Sequence, residues 1–543
     1  MKNLLILICI FNLNLLTCFS QYDQDDQDNQ DNFNIFDYPE YLSDLNKLFR
    51  YSLFEVLHDV SDYNRNDKWR ENIAYTRISN ELSDCEKNYL QHRDIITKKA
   101  LEKISSQELK DNSSLRIALC LSGGGYRSLI SSLGYMSGLQ EAGLLDAVTY
   151  ITAISGSTWA ISSLYSHDLD LDDLISLIKN QVSRSIYSNF DSKLLIESAV
   201  YKLFWGQKIN FVGIWGTILA NTFFSDNYLT KVINKNIDNF QFNKLLKTKI
   251  PKLSQFQKKI ENGLMPMPIF SAVMIDRGYD WIEFNPYEIG ISNVNTYISS
   301  WGLSRKFKNG ISIDSCPEVG LDYLMGIWGS AFTVSTREVL EIYSQSIPSF
   351  LFQVLDTVLV PEGNLSSKRI SPATLPNFAY SIPGHPLRDC KDMTLVDAGI
   401  SCNLPVAPIF KHNRQVDLII IIDASCNAQE AKELKRAQVY ADTYGISLPE
   451  LDYSNINTIN IFKDYNKNIP VIIYMPLIKN TQYSINFDPS QSAKDGYCST
   501  FNLKYTAEQF DELFGLGKAN LKDSLKEITK TIEDLLLKKN MIK

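Results

Sequence analysis

The chain of 543 residues is 44% hydrophobic and 21% charged, with a formal net charge of -8, which is an ordinary globular balance. That acidity excludes a nucleic-acid binder, which needs a basic field, and it supplies no overall pull toward anionic lipid. The length exceeds one compact core and suits an α/β unit that carries insertions.

The N-terminus comes first. Lys2 supplies a charge, Leu4 to Leu16 form an apolar run broken only by Asn12 and Asn14, and Ser20 offers a small residue for cleavage. Residues 1–20 therefore read as a secretory signal, the run being too short to span a bilayer comfortably. The expectation is a secreted or lumenal protein, lysosomal and vesicular lumens included, with glycosylation sequons at Asn112 and Asn364. Residues 21–45 form an acidic arm rich in Asn and Gln that cannot bury a core. Residues 46–543 are read as the folded domain. Of nine cysteines, Cys9 and Cys18 fall in the signal; the odd number left requires a free thiol or an interchain bridge in an oxidising compartment.

Leu115–Leu121 is a short apolar run that predicts a buried strand. Ser122-Gly123-Gly124-Gly125-Tyr126-Arg127 follows, then helical periodicity from Ser128 to Ala142 with Gly143 as a stop. A second strand, Val148–Ile154, runs into Ser155-Gly156-Ser157, and Thr158–Tyr165 reads as another helix. Two strands each followed by a turn and a helix imply a parallel pair in an α/β sheet. Residues 170–265 read as an inserted, mainly helical cap. Where they begin, Asp168, Asp170 and Asp172 have the alternation of a calcium loop, but Asp173 and Lys179 stand where its glycine and glutamate belong. Strands at Val416–Ile422 and Val471–Met475 return to the sheet. Leu521, Leu525, Ile528, Ile532, Leu535 and Leu536 mark the apolar face of a closing helix that packs on the core.

Three pieces carry chemistry. Ser155 sits on a strand-to-helix turn that would expose its hydroxyl at the sheet edge, above a helix N-terminus that favours negative charge. Gly124 and Gly125 lack side chains, so their N–H groups can face an oxyanion, and the planar fork of Arg127 can bind phosphate. A phosphate loop for nucleotides is excluded: the Lys-Ser/Thr pair is missing and the glycine spacing is wrong for a dinucleotide fingerprint. Asp397-Ala398-Gly399 follows the apolar segment Met393–Val396; alone, such a tripeptide is a turn. No spacing of His, Cys or carboxylates suggests a metal site, and no cofactor is expected.

The stretch SGGGYRSLISSLGYMSGLQEAGLLDAVTYITAISGSTWAISSLYSH (Ser122–His167) is similar to the nucleophile region of group IV cytosolic phospholipases A2 and, less closely, of fungal phospholipases B. WIEFNPYEIG (Trp281–Gly290), LMGIWGSAF (Leu324–Phe332) and LVDAGISCNLP (Leu395–Pro405) resemble further blocks of the family in order. SDCEKNYLQHR (Ser83–Arg93) and CSTFNLKY (Cys498–Tyr505) extend the likeness toward both ends. The resemblance implies a patatin-like α/β domain, a mainly parallel sheet flanked by helices, and a Ser–Asp dyad without a catalytic histidine. Position for position it makes Ser155 the nucleophile and Asp397 the base, with Gly124 and Gly125 as the oxyanion hole. It makes Arg127 and Arg414 the phosphate-binding residues, and leaves Trp328 as either an acyl-site or a core residue.

The implied reaction is hydrolysis of fatty acyl esters of glycerophospholipids or lysophospholipids at a membrane or micelle surface, through an acyl-enzyme. A transacylase on the same site and a catalytically silent lipid-binding protein are the alternatives. Two departures stand out: the span between the signal and the first block is short for a calcium-dependent targeting β-sandwich of about 100 residues, and the group IV enzymes are cytosolic. A carboxylate base has a reference pKa of about 3.9, so activity at about pH 5 is expected. Of the histidines only His412 follows Asp397 in the order a triad would need.

Overall fold

The computed structural model describes residues 68–186 (apart from 112 and 114), 198, 202, 205, 210–224, 250–331 (apart from 279) and 372–542. The signal, the arm and both sequons lie outside the described residues.

In chain order the strands are β1 (Arg77–Ile78), β2 (Ile117–Leu121), β3 (Val148–Ala153), β4 (Met267–Met274), β5 (Asp280–Phe284), β6 (Glu288–Ile291) and β7 (Thr296–Ser299). Then come β8 (Phe307–Lys308) and β9 (Ile311–Ser312), β10 (Ala373–Pro376), β11 (Asp392–Asp397), β12 (Leu418–Asp423), β13 (Asn460–Phe462) and β14 (Val471–Pro476). Apart from the small β8–β9 hairpin they form one sheet in the order β1-β7-β6-β5-β4-β3-β2-β12-β14-β13, with β11 on β4 and β10 on β11. The sheet is mixed. β4, β3, β2, β12 and β14 run parallel, and β4 to β7 continue as an antiparallel meander. The parallel strands are buried along their whole length, as in LIIIID of β12. That is why they read as continuous apolar runs rather than alternating ones.

The helices used below are α1 (Asp84–Ser105), α2 (Tyr126–Glu141), α3 (Gly156–Ser166), α4 (Leu171–Val182), α5 (Phe211–Phe224), α6 (Leu321–Trp328), α7 (Lys432–Thr443) and α8 (Ala507–Lys538). α8 begins earlier than its stripe of leucines and isoleucines because Thr506 and Gln509 close a capping box at its start. Its apolar face is buried, Leu521, Ile528, Ile532 and Leu536 completely, and it lies across α2. There Gly134 admits the Phe514 carbonyl, which a Cβ would meet at 2.3 Å. Within 170–265 the described elements are α4, α5 and short helical turns between Leu253 and Gly263. α5 crosses α6 backbone to backbone at Gly216 and Gly326. Cys85, Cys120, Cys316, Cys390, Cys402, Cys426 and Cys498 are all free thiols.

One detail of the topology positions the site. β3 pairs with Met267–Phe270 of β4, ending at Ala153 opposite Phe270. β11 pairs antiparallel with Ala272–Met274, ending at Asp397 opposite Ala272. Phe270 and Ala272 both have β5 on their other side, so β3 and β11 share one edge of β4 and meet head-on. Two residues of β4 separate their ends, roughly 7 Å at the ordinary strand rise. Ser155 lies just past one end and Asp397 is the other.

Candidate active site

Ser155 forms the turn between β3 and α3. Its φ of 49° and ψ of -132° lie outside the regions open to ordinary L-residues, a strain of about 1–3 kcal/mol that the surroundings must hold in place. They do so closely. The Ser155 N–H donates to the Trp328 carbonyl at 3.1 Å. Gly156 leaves room for the Gly125 carbonyl, which a Cβ would meet at 1.9 Å. Ser157 donates its hydroxyl to the Ser122 carbonyl at 2.6 Å. The side chain of Ser155 thus sits at the N-terminus of α3 with the glycine loop pressed against it.

That loop joins β2 to α2. Gly124 has φ 146° and Gly125 φ 61°, conformations that L side chains rarely adopt. Among the described residues neither the Gly124 nor the Gly125 N–H has a hydrogen-bond partner, so both remain available to a ligand oxygen. Gly123 approaches Ser155 so closely that a Cβ there would lie 2.7 Å from the Ser155 Cβ.

Asp397 closes the pair. It is completely buried, and burial pushes its carboxyl up to about 7, against the opposing pull of the Gly399 N–H, the Ser155 hydroxyl and the Ala331 N–H. Gly399 makes a full hydrogen bond, 2.8 Å to Oδ1. Oδ2 has no partner at full hydrogen-bond geometry among the described residues, so the Ser155 hydroxyl is near enough to lower the carboxyl's pKa without making a full hydrogen bond. The Asp397 N–H donates to Ser330 Oγ at 3.1 Å. The end of α6 therefore braces both members, Ser155 through Trp328 and Asp397 through Ser330.

The arginines behave differently. Arg127 is buried; Nε donates to the Ala424 carbonyl at 2.7 Å, and Nη1 to the Cys498 carbonyl at 2.5 Å and to Thr500 Oγ1 at 3.2 Å. It ties the first turn of α2 to the end of β12 and to the C-terminal block. Only Nη2, beside Gly124, has no hydrogen-bond partner among the described residues. Arg414 requires a correction. Its guanidinium is 1% exposed and bridges Glu86 of α1 (2.9 Å) and Glu283 of β5 (2.8 Å), with Nη1 also on the Pro408 carbonyl at 2.7 Å. Both faces are taken by carboxylates in the core, so it has nothing left for a headgroup. Trp328 belongs to the core as well: fully buried, its ring stacks on Phe270 at 4.3 Å.

Residue-by-residue reading of the sequence passed over Ser330 and Asn403, although both stand in blocks that carry the resemblance. Among the described histidines, His92 contacts the Asn88 carbonyl, His167 that of Phe223, and His385 the Thr296 hydroxyl. His412 lies in the turn before β12, at the end of the sheet remote from Ser155. Among the described residues no group of three or more His, Cys, Asp or Glu could hold a metal ion.

A strained serine at the end of the parallel strands, a buried carboxylate beside it and loop amides without a partner among the described residues make up the candidate active site of an α/β protein. The lysophospholipase catalytic domain family matches residues 117–458, and the chain belongs to that family. Human cytosolic phospholipase A2 zeta is 25% identical over 544 residues, covering 83% of this chain and 61% of that protein; the chain thus spans about three-fifths of that relative. Human GIVD cytosolic phospholipase A2 superposes with a TM-score of 0.71 at 20% identity, covering 85% of this chain and 68% of that one. The same enzyme in complex with methyl gamma-linolenyl fluorophosphonate gives 0.67 at 21% identity, covering 86% and 66%. The fold is therefore the patatin-like α/β architecture of these catalytic domains. The expectation of a secreted or lumenal protein is overturned, because the relatives that the chain matches are cytosolic phospholipases A2.

Proposed function

We propose that this chain hydrolyses fatty acyl esters of glycerophospholipids or lysophospholipids, with Ser155 as nucleophile and Asp397 as base. The Ser155 Oγ attacks the ester carbonyl while Asp397 Oδ2 takes its proton. The Gly124 and Gly125 N–H groups and the N-terminus of α3 stabilise the oxyanion. The proton passes from Asp397 to the departing alcohol, leaving an acyl-Ser155 ester. Asp397 then takes a proton from water, whose oxygen attacks the acyl carbon, and returns that proton to Ser155 Oγ as the acyl–serine bond breaks and the fatty acid departs. The substrate is met at a membrane or micelle surface, and residues 170–265 act as a cap on a catalytic domain spanning residues 46–543.

The observation that carries this reading is the head-on meeting of β3 and β11 on β4, which brings a strained serine and a buried carboxylate together beside unpaired amides. Family membership supports the ester-hydrolase class. The test is covalent labelling with a fluorophosphonate, followed by peptide mapping. Label on Ser155, lost in Ser155→Ala together with phospholipid turnover, is the expected result. Turnover that survives Ser155→Ala would sink the proposal.

A further inference from the structure

Asn403 lies in the turn that follows Asp397 and makes an unusual set of contacts. Its carbonyl accepts from the Gly123 N–H at 3.4 Å, and its Nδ2 donates to the Gly123 carbonyl at 3.0 Å. Both polar groups of one loop peptide unit pair are therefore held by one residue. Nδ2 also donates to Ser425 Oγ at 2.7 Å, and the Asn403 N–H donates to Glu433 Oε2 of α7 at 2.7 Å. Oδ1 is wedged between two glycines: a Cβ would come within 2.3 Å of it at Gly123 and 2.9 Å at Gly399. Gly399 is the residue whose N–H holds Asp397 Oδ1.

The far end of the chain of contacts is fixed too. The Ser425 N–H donates to Asp423 Oδ1 at 2.8 Å. Asp423, the last residue of β12, is completely buried and takes the Tyr474 hydroxyl on Oδ2 at 2.7 Å. Asn403 thus links three rigid pieces: the glycine loop after β2, the aspartate turn after β11 and the end of β12. An amide is the one short side chain that can donate to Gly123 and Ser425 while presenting an oxygen toward the two glycines.

We propose that Asn403 is a positioning residue that clamps the glycine loop to the aspartate turn, setting the Gly124 and Gly125 N–H groups against Ser155; this rests on the ester-hydrolase reading above. It touches neither the substrate nor the reacting atoms. Its contribution is to hold the oxyanion donors where the tetrahedral intermediate needs them, and so it acts on kcat more than on KM.

The test compares the full chain with Asn403→Ala, the isosteric Asn403→Asp, Ser425→Ala and the Asn403→Ala/Ser425→Ala double variant, using a nitrophenyl acyl ester. Asn403→Ala and Asn403→Asp should each lower kcat by about 10²-fold, the cost of misplacing catalytic groups by an ångström or so, with KM nearly unchanged. Ser425→Ala should cost less, and should add nothing in the Asn403→Ala background, because the two residues act through one chain of bonds. Amide hydrogen exchange of the 121–128 segment should rise about tenfold or more in Asn403→Ala while β12 and α8 keep their protection. An unchanged kcat, unchanged exchange in that segment, or a rise spread over the whole molecule overturns the proposal. The exchange readout needs no turnover, so it decides the clamp even if Ser155 proves unlabelled and the hydrolase reading falls.

Discussion

The Gly399 N–H holds Asp397 Oδ1 at 2.8 Å, which leaves Oδ2 without a hydrogen-bond partner among the described residues and makes it the oxygen that the proposed proton transfer from Ser155 would use. Burial pushes this carboxyl up to about 7, so it keeps its proton to much higher pH than an exposed carboxyl does. The sequence alone predicts an ionised base in mild acid; the burial of Asp397 argues for the opposite. kcat/KM should be level in mild alkali and fall about tenfold per pH unit below the carboxyl's pKa. A pH–rate profile on a neutral ester measures this; full activity at pH 5 would contradict the raised pKa, while leaving a carboxylate base of ordinary pKa in place.

The same shift has a consequence for stability. A carboxyl whose folded pKa exceeds its unfolded value binds the proton more tightly when folded. Its favourable contribution is complete below the unfolded value of 3.8 and is lost as pH rises through about 7. Above that, the ionised group weakens the fold by up to about 4 kcal/mol. Asp397→Asn removes the charge and should raise Tm at pH 8, with a much smaller change at pH 4, while abolishing turnover. Thermal melts at both pH values would show it; a lower Tm at pH 8 is the contrary outcome.

How much of this was legible in the sequence follows from how local each feature is. The units β2–glycine loop–α2 and β3–Ser155–α3 announce themselves, since each couples an apolar run to a turn residue within a short span. The β4–β7 meander does not: β4, MPIFSAVM, is buried at every position, so it lacks the alternation that marks a strand. The head-on meeting of β3 and β11 depends on register with a third strand and leaves no local trace. Arg414 was misjudged for a related reason, because its partner Glu86 stands 328 residues earlier. The elevated pKa of Asp397 comes from burial, which an Asp-Ala-Gly turn does not disclose.

A dyad rather than a triad is expected. His412 lies before β12 begins, and β12 runs parallel to β2 with Leu418 level with Ile117. The length of the sheet, roughly 17 Å for six residues, separates it from the Ser155 end. His412→Ala should therefore keep turnover within about threefold of the parent, well short of the 10²–10⁴-fold typical of a lost general base. Steady-state kinetics with a circular-dichroism check of folding decides between the two; an inactive, well-folded variant would restore the triad.

Arg127→Lys keeps a charge but loses the fork that reaches the Ala424 and Cys498 carbonyls together. Since those bonds anchor the first turn of α2 beside the glycine loop, the loss should fall on a nitrophenyl ester and a phospholipid alike, by about 10-fold or more. A loss confined to phospholipids would instead give the free Nη2 the main role, as a phosphate ligand.

Arg414 tests the opposite extreme, a charge that acts only through the fold. Arg414→Ala would leave Glu86 and Glu283 buried without their shared partner, and breaking such a cluster costs about 3–5 kcal/mol. Burial by itself would raise Glu283, but the Arg414 and Lys411 charges outweigh it and bring it down to about 2. A depressed carboxylate stabilises the fold above its unfolded pKa of 4.5 and loses that contribution as pH falls toward 2. Removing Arg414 should therefore lower the denaturant midpoint at neutral pH, with a smaller difference from the parent in strong acid. Whatever folded fraction remains should hydrolyse neutral esters and phospholipids in the parent's ratio. Urea titrations at pH 7 and pH 3, paired with assays on both substrates, separate the readings: normal stability with a phospholipid-selective defect would return Arg414 to the headgroup.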